Sequence, residues 1–254
     1  SAGEVLQSGN SVAIGITAGR YNQGNSSVAV GILAGYSGQN SNAIGIGYQA
    51  GTNFQGQFGI SIGNDAGNTS QQINSIAIGN TAGYVSQGQN SISIGLRAGQ
   101  TNQALGATAG TSTIAIGTEA GRFSQNMNSI AIGYQAGTSG QAIQSIAIGY
   151  QAGQTRQGFG ATTGSSTIAI GNQAGNSSQG ISSISIGNQA GYSAQGSNSI
   201  AIGNLAGYTQ VSNSIVLNAS GATLAGVNSG LYINPVRNDT TLTTGNSLYY
   251  NPTT

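Results

Sequence analysis

Four carboxylates, Glu4, Asp65, Glu119 and Asp239, and five arginines are the only charged side chains in the 254-residue sequence. His, Cys, Trp and Lys do not occur. A zinc site, a thiol or histidine-activated nucleophile and a Lys-bearing phosphate loop therefore have no residues to build them. Calcium-binding Gly/Asp repeats are excluded by the two Asp. What is left is hydrolysis by a carboxylate pair. Asp65 and Glu119 occupy the same position of an internal repeat, three units apart, which on a strand spacing of about 4.8 Å separates them by about 14 Å. Glycosidase pairs need about 5 to 9.5 Å. Glu4 and Asp239 lie at opposite ends of the sequence and offer no second pair. The expectation is a protein that is not an enzyme, with no catalytic residue, no cofactor and no metal site.

The same scarcity of charge limits partners. A net charge of +1 from scattered arginines makes no basic stripe, so nucleic acid is not expected. No apolar run approaches the roughly 18 to 20 residues of a membrane span, so membrane insertion is not expected either. No charged n-region followed by an apolar stretch occurs. Absence of Cys means that stability outside a cell would have to come without disulfides. Low charge with much Gly, Ser and Asn also suits disorder, but a disordered chain lacks periodic apolar residues.

Here the period is plain. Ile/Val-small-Ile/Val-Gly-x-x-Ala-Gly recurs twelve times, with its first Gly at positions 15, 31, 47, 63, 79, 95, 117, 133, 149, 171, 187 and 203. Nine spacings are 16 residues and two are 22, and each longer one holds a six-residue insertion, Leu105–Gly110 and Phe159–Gly164. A period of 16 is too short for helical or leucine-rich repeats and suits a coil of two short strands and two turns. The fold class expected is all-β, a parallel β-solenoid of about twelve 16-residue coils. Its domains are a lead-in at 1–9, the repeat domain at 10–217 and a non-repeat β cap at 218–254.

Within a coil, Ser75-Ile76-Ala77-Ile78 alternates with period two, as a strand with one buried face does. Gly79 and the pair Ala82-Gly83 stand at the first corner, where Gly admits positive φ or close backbone approach. Four residues ending in Gln87 form the second strand, and that Gln recurs in eleven of twelve coils. Gly, Ser and Asn close the coil. Ile130, Ile132, Gly133 and Gln141 hold the same positions in a later coil. Stacking puts like over like, Ile76 over Ile92 and Gln71 over Gln87, in a rod roughly 55 Å long. The Gln column is either an inward amide ladder or an outward polar row. The ladder is the stronger reading, because an exposed position does not need one residue type eleven times.

Each coil carries little apolar material, so a slender solenoid gains from burying further surface between chains. The small residue between the two Ile, such as Ala77, Ser93, Ala115 and Ala131, points to the opposite face from them. That all-small face is the expected interface of a homo-oligomer.

The string Asn-Ser-Ile-Ala-Ile-Gly at 74–79, 128–133 and 198–203 resembles the head repeat of trimeric autotransporter adhesins and related repeats of phage and large-virus fibres. The resemblance covers about 10–217 and implies a left-handed β-roll, a homotrimer and a surface role in adhesion; the repeat here is longer than that family's. The strings at 214–221, 230–237 and 248–253 are similar to the stretch preceding the self-cleaving intramolecular chaperone of many tail fibres. That resemblance implies a processing point near Thr254.

The functional expectation is a rigid trimeric fibre or adhesin segment, on a virion or cell surface, that attaches to a host-surface glycan or protein receptor. Tyr36, Tyr48, Tyr84, Tyr134, Tyr150, Tyr192 and Tyr208 sit at variable outer corners and are candidate surface contacts, since Tyr presents an apolar ring with a polar tip. Exposed Tyr and Asn that merely solubilise a shaft are the bland alternative. A self-assembling extracellular filament is a second reading. Ice binding is a third, resting on the Ser/Thr row at 75, 91, 113, 129, 145, 167, 183 and 199. Sequons at Asn25, Asn68, Asn176, Asn218 and Asn238 point weakly to a eukaryotic secretory route or host.

Overall fold

The computed structural model of the chain describes residues 1–103, 112–158 and 166–236. The two insertions, Asp239, Asn238 and the string at 248–253 lie outside the described residues. Among the described residues every regular element is a strand, and the strands wind into a parallel β-solenoid of about 13 coils of about 16 residues. The Ile/Val strands stack into one 14-stranded parallel sheet running from Val12–Ile14 to Gly230–Asn234. Register is strictly like over like: Ile76 pairs with Ile92 and Ile78 with Ile94, and Ile130 with Ile146. The 22-residue coils do not disturb it, since Ile92 pairs with Ile114 and Ile146 with Ile168.

The second strand is shorter than its sequence pattern suggests. It is a strand at Tyr21–Gln23, Asn53–Gln55, Thr69–Gln71 and, in the twelfth coil, Ala206–Gln210, and in the other repeats a single bridge, as between Val85 and Thr101. The residue before the Gln adopts positive φ, 55° at Ser86 and 56° at Asn102, which turns the chain before a longer ladder can form. At the two ends the boundaries expected from sequence shift. Val5–Gln7, inside the expected lead-in, already pairs with Tyr21–Gln23. Ser214–Asn218 pairs with Gly230–Asn234, so the sheet continues past 217 into the segment expected as a separate cap.

The largest correction concerns which face is inside. In the Gly79 coil, Ser75, Ala77, Ala82 and Gln87 are fully buried in the lumen, whereas Ile76 and Ile78 face outward and are only half-buried. The same holds along the rod: Ser93, Ala115 and Ala131 are fully buried. The small face is therefore the core of the coil and not a surface for a second chain. The apolar face left over is the pair of Ile/Val columns on the outside of the sheet.

Volume decides this. A Cβ added to Gly83 would lie 2.6 Å from Oε1 of Gln87, and one added to Gly79 would lie 2.6 Å from the carbonyl oxygen of Gly95 in the next coil. A lumen already filled by a Gln, two Ala-sized residues and a Ser, at the density of protein interiors, has no room for Ile. Among the fully buried side chains the largest are the eleven Gln of the repeats and Val216. At the C-terminal end the lumen fills with apolar groups instead, as Val216 replaces Ala and packs with Leu224 and Tyr232.

The Gln column is the inward ladder. Nε2 of Gln87 donates to the carbonyl of Ile76 across the lumen at 2.7 Å and to that of Ser91 at 3.3 Å. Nε2 of Gln141 likewise donates to Ile130 at 2.7 Å. Neighbouring coils are linked directly, from Gln71 Nε2 to Gln87 Oε1 at 3.3 Å, or through an inward Ser: Gln87 Nε2 donates to Ser93 Oγ at 3.2 Å and Ser93 Oγ to Gln103 Oε1 at 2.9 Å. In the twelfth coil, where the repeat position holds Val211, Gln210 takes the place one residue early and bonds Ile200 and Gln195.

Candidate functional site

With the core closed, function falls to the outer rows. The Ser/Thr row proposed for ice binding is not among them: Ser75, Ser91, Thr113, Ser129, Ser145, Thr167, Ser183 and Ser199 are all fully buried. Ser75, Ser129 and Ser183 bond carbonyls three residues back, and Thr113 and Thr167, which follow the insertions, donate to Ser91 and Ser145 at 2.9 Å.

The seven tyrosines fall into two columns. Tyr48, Tyr134 and Tyr150 follow the first Gly of their coils and are 45 to 48% exposed. Tyr36, Tyr84, Tyr192 and Tyr208 follow the Ala-Gly pair and are half-buried. Only neighbours in adjacent coils meet: Tyr134 and Tyr150 stack at 5.2 Å and 10°, Tyr192 and Tyr208 at 4.9 Å and 19°. Tyr36 instead meets the edge of Tyr21, at 5.3 Å. Stacked rings spend their faces on each other and offer edges and hydroxyls outward, so they are polar ridges rather than platforms for a sugar ring.

A third column, the second residue after the first Gly, carries Asp65, Arg97 and Glu119. It adopts φ between 52° and 60° in every coil from Thr17 to Leu205, so the left-handed backbone there is set by the corner and not by function. From Gln189 to Gln135 the column is a one-way amide ladder: Gln189 donates to Gln173 at 2.9 Å, Gln173 to Gln151 at 3.0 Å and Gln151 to Gln135 at 2.9 Å. Gln135 Nε2 then donates to Oε2 of Glu119 at 2.8 Å. The other carboxylate oxygen accepts from Arg97 Nη1 and Arg122 Nη1, each at 3.0 Å. The bond from Gln135, then those two guanidiniums, hold the Glu119 carboxyl below its usual range.

Asp65 lies in the same column, with Thr81 and Arg97 between it and Glu119, so the two acids are not brought together. Partial burial pushes the Asp65 carboxyl up, opposed by a 3.1 Å bond from Asn68 Nδ2. Glu4 pairs with Arg20 at 2.8 Å. Of the sequons, Asn68, Asn176 and Asn218 are almost fully buried with their amides bonded, and Asn25 is exposed. The Arg97–Glu119–Arg122 cluster was not foreseen; the shared column of Arg97 and Glu119 was its only signal in the sequence. A comparison with family models, curated proteins and solved structures finds no match to the chain.

Proposed function

We propose that this chain is a segment of a rigid, non-enzymatic fibre or adhesin, associated as a homotrimer on a virion or cell surface and used for attachment to a host-surface glycan or protein receptor. The observation that carries the reading is the outward apolar face of the 14-stranded sheet. Two apolar columns, Ile or Val except at Leu217 and Leu231, run its length, roughly 60 Å on the usual strand spacing, with Ile46, Ile62, Ile94, Ile186 and Ile202 still 36 to 40% exposed. Soluble chains rarely leave so long an apolar stripe open to water, and lateral association through it adds the burial that a lumen of Ala, Ser and Gln cannot supply. The interface thus moves from the small face expected from sequence to the Ile face. Resemblance of the Asn-Ser-Ile-Ala-Ile-Gly strings to adhesin and fibre repeats supports the surface role.

Light scattering on the purified chain tests the assembly. A mass of three 25.0 kDa chains is expected, falling to one chain when Ile130 and Ile132 are both changed to Thr, which keeps the strand β-branched. A single-chain mass for the unaltered protein would sink it.

A further inference from the structure

Both 22-residue coils must be joined to the next coil across an insertion, and the same four outer positions make the join in each. At the second insertion the join is neutral: Gln173 Nε2 donates to Gln151 Oε1 at 3.0 Å and Asn176 Nδ2 to Gln154 Oε1 at 3.2 Å. At the first, the corresponding residues are Glu119 against Arg97 and Arg122 against Gln100. Neutral amides therefore suffice to tie coils across an insertion. The charges at the first junction exceed that need, in a chain of which only 4% is charged.

The geometry is that of an anion site held half open. Two guanidiniums share one oxygen of one carboxylate, leaving a local charge of plus one. Arg122 is fixed by its Nε bond to Gln100 at 2.8 Å and by lying 4.5 Å over the Phe123 ring, so little side-chain entropy remains to be lost on binding. Arg97 is 45% exposed and gives only Nη1 to Glu119. A guanidinium has five N–H donors and prefers to grip a carboxylate or sulfate with two. Glu119, sharing one oxygen between both and giving the other to Gln135, does not satisfy that preference. The groups bonded to the cluster are neutral amides and a hydroxyl: Gln100 accepts from Arg122, Gln135 donates to Glu119, and the Thr138 hydroxyl donates to the main-chain carbonyl of Glu119. They match a hydroxyl-rich ligand.

We infer that Arg97 and Arg122 form a binding site for the carboxylate or sulfate group of an acidic saccharide, with Glu119 as the internal competitor that holds the two arginines in place when the site is empty. This rests on the attachment role proposed above and names its ligand class.

The test is titration calorimetry of the full chain with a heparin-derived oligosaccharide, an oligogalacturonate and dextran, at low and raised salt. At least one anionic probe is expected to bind and dextran is not; which anion binds tells sulfate from carboxylate. The double variant Arg97→Gln, Arg122→Asn places at both arginine positions the amide residues that tie coils at the second insertion, and it should weaken anion binding at least about tenfold. Glu119→Gln extends the existing amide ladder by one member and should tighten binding several-fold. The inference is overturned if no anion binds even the Glu119→Gln chain, if the double variant binds as before, if Glu119→Gln weakens binding, or if dextran binds equally. Light-scattering mass on the same samples separates the two ideas. Anion binding lost with the multi-chain mass intact removes only this inference, and a single-chain mass removes only the trimer.

Discussion

The side-chain amide of Gln87 donates to the main-chain carbonyl of Ile76 across the lumen of its coil, at 2.7 Å. That bond ties the wall carrying the Ile columns to the opposite wall, and the same Gln also accepts from Gln71 in the coil before. In a closely packed lumen these bonds are strong and expensive to leave unmade. Gln87→Leu, similar in size but without donors or acceptors, is expected to cost about 2 to 4 kcal/mol. Denaturant unfolding would show the loss. Hydrogen exchange should show it concentrated in the Gly79 and Gly95 coils, because each coil contacts only its neighbours.

The two fixed glycines should differ in kind. Gly79→Ala drives a Cβ to 2.6 Å from the carbonyl oxygen of Gly95, a main-chain atom that cannot move without shifting a coil. Gly83→Ala meets the Oε1 end of Gln87 at the same distance, and a side-chain tip can retreat. Both positions also have positive φ, 128° and 52°. We expect Gly79→Ala to prevent ordered stacking near that coil and Gly83→Ala to leave a folded, weaker rod. In a Gln87→Ala background the clash is gone, so adding Gly83→Ala there should cost only the backbone strain of about 1 kcal/mol relative to Gln87→Ala alone. If the double variant is no better than the sum of its parts, the fit between Gly83 and Gln87 is misassigned.

A stabilising change follows from the ladder's gaps. Oε1 of Gln23, Gln39, Gln141, Gln157 and Gln179 is buried without a partner, and each of these coils has Ala at the middle strand position. Where that position is Ser, as at Ser61, it accepts from Gln55 at 3.2 Å and donates to Gln71 at 2.7 Å. Ala131→Ser should likewise link Gln125 to Gln141 and raise stability by about 1 kcal/mol. Ala77→Ser is the control, since Gln87 already accepts from Gln71 and nothing is gained. Equal effects on the melting temperature would argue against the relay.

These relationships show why the sequence was readable in one respect and not in another. The corners and the stacking register follow from invariant spacing, because a residue type repeated every coil can only be a column. Gln87 could be placed inward on that ground. The alternation in Ser75 to Ile78 showed that the strand has two unlike faces but not which one is buried. The usual preference for burying Ile gave the wrong answer here. Lumen volume decides it, and that depends jointly on Ala82, Gly83 and Gln87, which lie on different walls. The Arg97–Glu119–Arg122 cluster was hidden for a related reason: it combines two columns and is closed only by stacking across an insertion.

The pH dependence of stability should come from two acids of opposite sign. Glu119 has a lowered carboxyl in the folded chain, through Gln135 first and then Arg97 and Arg122. The unfolded chain therefore binds the proton first as pH falls, and the stabilisation, complete above the ordinary glutamate range, is lost as pH drops through the folded value. Asp65 is raised by burial, so the folded chain takes its proton first. Its penalty is complete above that raised value and disappears on acidification. The two trends oppose each other in the unaltered protein as pH falls from neutral into the carboxylate range. Glu119→Gln removes the falling component, leaving a chain that becomes more stable in acid. Asp65→Asn removes the rising one, leaving a chain that is more stable at neutral pH and weakens in acid. Thermal melts of the three proteins across that range check the signs. If both variants shift the acid response in the same direction, the electrostatic assignment of at least one of these acids is wrong.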